Sequence, residues 1–203
     1  MAALSSAELG IAEQDQLLDL ARESIAQGLT SGQPPSYSAD QFTGALARPG
    51  ASFVTLRREN ALRGCVGSLE AKRPLAEDVG IAAFNAAFRD IRFPRLSASE
   101  LGQVRIEISV LSPMVPLEVR DQDELLRRLR PLIDGLLLEE GSARATFLPK
   151  VWEQLPEPVD FLSALKRKAG LPPDYWSTTL RVSRYQTLSF EERGPATMPA
   201  VGG

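Results

Sequence analysis

The chain contains no histidine and only one cysteine, Cys65. The first absence removes the commonest metal ligand and the commonest general base, and with them every Ser-His or Cys-His dyad. The second excludes a disulfide framework and a cysteine-ligated cluster. Long apolar runs are missing too, since no window approaches the roughly 18 residues of a membrane-spanning helix. The opening residues lack the basic start and apolar stretch of a secretory signal, so a cytoplasmic protein is expected. There is no surplus of positive charge: 23 Lys and Arg face 26 Asp and Glu, a net charge of −3. That balance disfavours nucleic-acid binding, which usually draws on a basic stripe that releases counterions from several phosphates.

What is present is an ordinary globular composition of 203 residues, 43% of them apolar, with 15 Gly and 15 Pro as punctuation. This length suits one domain or one domain with two lobes. Charge is uneven along it. Residues 1–50 carry two basic side chains against six acidic ones, whereas residues 57–95 carry eight basic against five acidic. The middle of the chain is therefore the place to look for an anionic partner.

Leu17, Ala21 and Ile25 recur at helical spacing, and Ser5 with Glu8 has capping-box spacing, which together predict one amphipathic helix over Ser5–Leu29. Strands are expected over Ala51–Leu56 and Leu62–Leu69 around a Glu59-Asn60 turn, then a helix from Pro74 to about Arg89. Val104, Ile106, Ile108 and Val110 alternate with polar residues, the pattern of a strand with one buried face. Asp121 and Glu124 cap a short helix, and Leu136–Leu138 with Arg144–Phe147 form a hairpin. Pro149 and Pro158 open two helical stretches, the second ending at Gly170, and Thr178–Phe190 is the last strand. Hairpins flanked by helices imply an α+β fold with a largely antiparallel sheet.

Chemistry concentrates in LRGCVGSLEA. On a strand, Arg63, Cys65 and Gly67 share one face, coupling the thiol to a cation, while Gly64 leaves a gap on the other. Glycine inside a strand marks a place where a ligand or another backbone comes close. The alternative is that Cys65 is simply a small buried apolar group. In FNAAFRDIRFP, Phe84 and Phe88 read as core, and Asn85 is placed to aim an amide at a ligand. Arg89, Asp90 and Arg92 read either as ligand contacts or as a solvated helix end with local ion pairs. Glu107 is the candidate proton acceptor if it is covered, although a solvent-facing Glu on a one-sided sheet is the commoner arrangement.

These segments together resemble the AMMECR domain family, the A component of the AmmeMemoRadiSam system. LRGCVGSLEA, NAAFRDIRFP, RIEISVLSP, IDGLLLEEGSARATFLPKVWEQLP, FLSALKRKAGLP and DYW occur in the family's order. Three positions depart from its pattern: Ile91 stands where Pro is common, Ala145 where Gly is common, and Lys150 where Gln is common. The resemblance implies a single domain over residues 1–193 with two subdomains. The N- and C-terminal segments make the larger lobe, a smaller helical lobe is inserted, and a cleft lies beside the Arg-Gly-Cys strand. Residues 194–203 are expected to be a frayed tail.

On this basis Cys65 and Glu107 are the candidate catalytic residues, and Arg63, Gly64, Gly67, Asn85, Asp90 and Arg92 the candidate contacts to a small anionic organic substrate. No cofactor and no metal ligand are assigned to this chain. The metals are expected on partners, a Memo-type protein and a radical SAM protein. The rival reading is a non-catalytic adaptor that docks on one of those partners through its Arg-rich middle.

Overall fold

The computed structural model describes residues 9–38 and 40–193. The Ser5–Glu8 capping pair and the expected 194–203 tail lie outside the described residues. Helix α1 spans Ile11–Ser31 and starts later than its periodicity suggests, because Gly10 is its extended N-cap, a position glycine tolerates well. It ends at Gly32 in the left-handed conformation that residue allows. A short ladder pairs β1 (Pro49–Gly50) with β4 (Arg73–Pro74). Between them, β2 (Ser52–Arg58) and β3 (Ala61–Gly67) form a hairpin. Glu59 and Asn60 both have positive φ (50° and 64°) at its turn, the geometry that matches strand twist. Helix α2 follows at Leu75–Phe88, with Pro74 as its N-cap.

Strand β5 (Val104–Leu111) pairs antiparallel with β2, and β10 (Thr187–Glu191) completes a four-stranded sheet in the order β10-β5-β2-β3. One face carries Val54, Leu56, Ile106 and Ile108 into a core shared with Leu17, Ala21 and Ile25 of α1 and Leu75, Val79 and Ala83 of α2. The opposite face of β5 is not open to water as a one-sided sheet would be: Glu107 is 6% and Ser109 7% exposed. Their polar groups are satisfied by neighbours, Ser109 by the Ser189 hydroxyl at 2.8 Å and Glu107 by Arg57 at 3.3 Å. The paired polar groups let a second face be buried without orphaned atoms.

The chain divides into two compact units, one made of 1–111 with 188–203, the other of 112–187. The inserted unit, expected to be helical, carries a sheet of its own. In it β6 (Val115–Pro116), β9 (Arg181–Tyr185), β7 (Gly135–Glu140) and β8 (Ala143–Phe147) follow that spatial order, alongside helices α3 (Gln122–Arg128) and α4 (Pro158–Lys168). Asp121 caps α3 by accepting the Glu124 N–H at 2.7 Å. Trp152 stacks on Phe161 at 3.8 Å and anchors this second core with Leu125, Leu136 and Leu165. The single strand expected over Thr178–Phe190 is two, β9 and β10, in different sheets. Its break is Gln186, whose N–H donates to the Ser112 hydroxyl and whose carbonyl accepts the Ser112 N–H, both at 2.9 Å.

Gly64 determines how closely β3 and α2 approach. A β-carbon built there would lie 2.2 Å from the Ala86 carbonyl oxygen, whereas one at Gly102 would meet nothing within 4 Å. Gly64→Ala is therefore expected to lower stability by about 2–3 kcal/mol, because backbone rather than a flexible side chain must shift. Gly102→Ala should stay within about 0.5 kcal/mol of the parent in urea unfolding.

Candidate functional site

Strand β3 is an edge of its sheet, so every second residue turns its backbone groups away from β2. Cys65 is such a residue. Its N–H donates to Asp90 Oδ2 at 2.9 Å, and its carbonyl accepts Arg92 Nη2 at 3.2 Å. Asp90 and Arg92 also grip each other through Oδ1–Nε at 2.9 Å and Oδ2–Nη2 at 2.7 Å. The loop after α2 thus supplies two side chains where a neighbouring strand would otherwise bond. The hydrogen bonds from Arg92, with those from the Cys65 and Arg92 N–H groups, hold the Asp90 carboxyl down at about 2. Asp90 in turn pushes the Arg92 pKa up.

With its backbone bonds directed outward, Cys65 faces Thr55 across a non-hydrogen-bonded pair, the closer of the two antiparallel spacings. The Thr55 hydroxyl donates to Sγ at 3.3 Å, and the thiol is half-buried. Thr55 also pairs with Glu107 on its other side, so Cys65, Thr55 and Glu107 form one row across three strands. Two strand spacings put Cys65 and Glu107 roughly 10 Å apart along that row. The structure brings Glu107 to Arg57, not to the thiol.

Arg63 is not the cation at the sulfur. The register shifts between Leu56 and Arg57, pairing Leu56 with Gly64 and Arg57 with Leu62 and leaving Arg63 as an extra residue on β3. A bulge suspends the strict alternation on which the shared-face expectation rests. Arg63 instead forks onto Glu100, with Nε at 2.8 Å and Nη2 at 3.2 Å. That bond, with the Ser97 N–H, brings the Glu100 carboxyl to about 2. Arg63 Nη1 and Asn85 Oδ1 are buried without a hydrogen-bond partner among the described residues.

The spaces at both glycines are occupied by backbone, Gly64 by the Ala86 carbonyl and Gly67 by the Ser52 carbonyl, each 2.2 Å from a built β-carbon. Sequence reasoning missed Thr55, Glu100 and Asp78. The last, 5% exposed, accepts the Ser52 N–H and the Ser52 and Ser68 hydroxyls at 2.8–2.9 Å, tying α2 to both strands at the open end of the hairpin. Burial raises its pKa against those bonds. Alternation in SFVTLRR was the one signal for Thr55; a capping pair, Ser97 with Glu100, was the signal for Glu100. Among the described residues no group of three or more Cys, Asp or Glu gathers to hold a metal ion. Two cavities, about 680 and 370 Å³, lie elsewhere in the first unit, one beside Arg22 and Glu192 and the other beside Leu20 and Phe42.

The depressed carboxyl of Asp90 sets a pH window for the clamp on Cys65. Its folded value of about 2 lies below the ordinary carboxylate value near 3.9, so its contribution is fully present above about pH 4 and is lost as pH falls through about 2. The protection of the Cys65 amide against hydrogen exchange should be flat from neutral pH to about 4 and fall below it. In Asp90→Asn it should be lower above about pH 4 and lose that dependence.

A family model for AMMECR1 matches residues 18–190. A protein of Methanothermobacter thermautotrophicus is 41% identical over 146 residues, 70% of this chain and 75% of the relative. One of Methanopyrus kandleri is 35% identical over 197 residues, 93% of this chain and 92% of the relative. The crystal structure of an uncharacterized protein from Pyrococcus horikoshii superposes with a TM-score of 0.79 at 33% identity, covering 89% of this chain and 91% of that one. This chain belongs to the AMMECR1 family.

Proposed function

We propose that the protein binds a small anionic organic molecule beside Cys65, with the thiol as nucleophile or covalent anchor, as the A component of an AmmeMemoRadiSam-type system. The observation that carries this reading is the set of groups on Cys65: a half-buried sulfur accepting the Thr55 hydroxyl, on a residue whose carbonyl holds the exposed Arg92 guanidinium. The same cation attracts a carboxylate or phosphate on the ligand. Addition of the thiol across a carbonyl forms one C–S bond and moves the thiol proton to the carbonyl oxygen, so the step balances without another reactant.

Within this reading Asp90 is a positioning residue, because it orients Arg92 and fixes the Cys65 amide. Glu107 serves the opposite end of the row by holding Arg57 at the same polar face. The Memo-type and radical SAM proteins would be the partners of the reaction sequence.

Alkylation by a charged and a neutral reagent of the same chemistry tests the site. The rate ratio of iodoacetate to iodoacetamide at Cys65 should exceed that of a free cysteine peptide by about threefold or more at low salt, because a cation within a few ångströms selects the anionic reagent. Arg92→Ala should bring the ratio to the peptide value, and Cys65→Ser should abolish labelling. A folded protein inert to both reagents, or a ratio equal to the peptide's from the start, would overturn the assignment.

A further inference from the structure

Three arginines of one short segment each lie over a phenylalanine ring. Arg89 is over Phe84 at 5.2 Å, Arg92 over Phe93 at 5.4 Å and Arg95 over Phe88 at 5.6 Å. Energetically significant contacts of this kind occur roughly once per 70–80 residues, so three such geometries within residues 84–95 are a local concentration. Phe84 and Phe88 are themselves paired at 4.9 Å and buried, at 1% and 9% exposure. They form a fixed floor under Arg89 and Arg95. Arg92 has Asp90 as its ion-pair partner, but among the described residues Arg89 and Arg95 have no carboxylate within ion-pair distance and no side-chain hydrogen bond. Both are exposed.

A guanidinium stacked on a ring spends its face and leaves its in-plane N–H groups for a carboxylate or phosphate. Packing on a buried ring also restricts the side chain beforehand, which lowers the entropy lost on binding. Between the arginines stands Ile91, 99% exposed, with exposed Pro94 beside it. An aliphatic side chain fully in water between unpaired cations adds nothing for a simple ion or a sugar-phosphate backbone. No ring in the segment is open for base stacking either, because each phenylalanine is covered by its arginine and buried or half-buried. Arginine around an apolar centre is instead the composition of a protein-binding hot spot.

We propose that the 89–95 loop is a docking surface for a partner protein segment that carries Asp or Glu side chains around an aliphatic contact. Arg89 and Arg95 take the carboxylates, and Ile91 takes the apolar contact. The three side chains of this surface differ from those proposed to act at Cys65, since among the described residues none of Arg89, Ile91 and Arg95 makes a side-chain hydrogen bond or ion pair to Cys65 or Asp90.

Fluorescence anisotropy with a labelled synthetic peptide of Asp and Glu interrupted by leucines tests the surface. The controls are the same peptide with Asn and Gln in place of the acids and a single-stranded DNA of equal charge. The full chain should bind the acidic peptide, bind the amide peptide at least about tenfold more weakly, and bind the DNA more weakly than the acidic peptide. Arg89→Glu with Arg95→Glu should weaken the acidic peptide about tenfold or more, and Ile91→Ser should weaken it severalfold. The alkylation ratio at Cys65 should be unchanged in Ile91→Ser, which alters no charge and so separates failure of this surface from failure of the thiol site. The proposal is overturned if charge reversal or Ile91→Ser leaves peptide binding intact, if the acidic peptide does not bind, or if the DNA binds equally well.

Discussion

Helix α2 can deliver its C-terminal loop to the edge of the sheet because two glycines let backbone and rings approach on either side of it. On one side Gly64 admits the Ala86 carbonyl against β3; on the other, Gly28 of α1 leaves room for the Phe84 and Phe88 rings, which would lie 2.4–2.8 Å from a β-carbon there. A methyl group at either place would push the helix out of register with the strand. Its end would then no longer reach Cys65, and the clamp of Asp90 and Arg92 depends on that reach. Asp78 fixes the opposite end of the same helix through Ser52 and Ser68, so α2 is held to the hairpin at both ends.

The clamp solves a general difficulty of edge strands, which expose unpaired backbone groups to any passing chain. Among the described residues, side chains close the edge only at Cys65, where the donor and acceptor are met by a carboxylate and a guanidinium that satisfy each other. Hydrogen bonds to charged groups contribute more than neutral ones, about 1.5–3 kcal/mol each, whereas the exposed Arg92 makes the ion pair alone worth little. The same bonds direct the backbone outward and so leave the thiol in the close pairing with Thr55. Stability of the edge and presentation of the sulfur therefore share one set of contacts.

The inserted unit follows the same rule of satisfying what it buries. Asp134 has no exposure, yet its carboxylate is gripped by Arg130 at 2.6 Å and its carbonyl accepts the Trp152 indole N–H at 2.7 Å. Lys166 is equally enclosed, with Gln122 and the Pro173 carbonyl as acceptors and the Trp176 ring at 5.8 Å. Burial pushes its pKa down. These polar struts join α3, α4 and the 173–176 segment around the apolar stack of Trp152 on Phe161.

Periodicity and turn chemistry along the chain were enough to identify α2, the β2–β3 hairpin, the Asp121-capped helix and the α+β class, because each depends on residues a few positions apart. The family was equally readable, since its motifs are contiguous. Assignments of side chains to one another were not. Arg63 turns to Glu100 beside a bulge, which no alternation pattern announces, and Arg92 reaches the Cys65 carbonyl only because a helix packs closely enough to bring residue 92 to residue 65. Glu107 was buried by neighbours on β2 and β10, far away in sequence, and Thr178–Phe190 was divided because its two halves joined different sheets. Local interactions suffice to specify elements, but which polar groups meet depends on where those elements come to rest, and that follows from long-range packing.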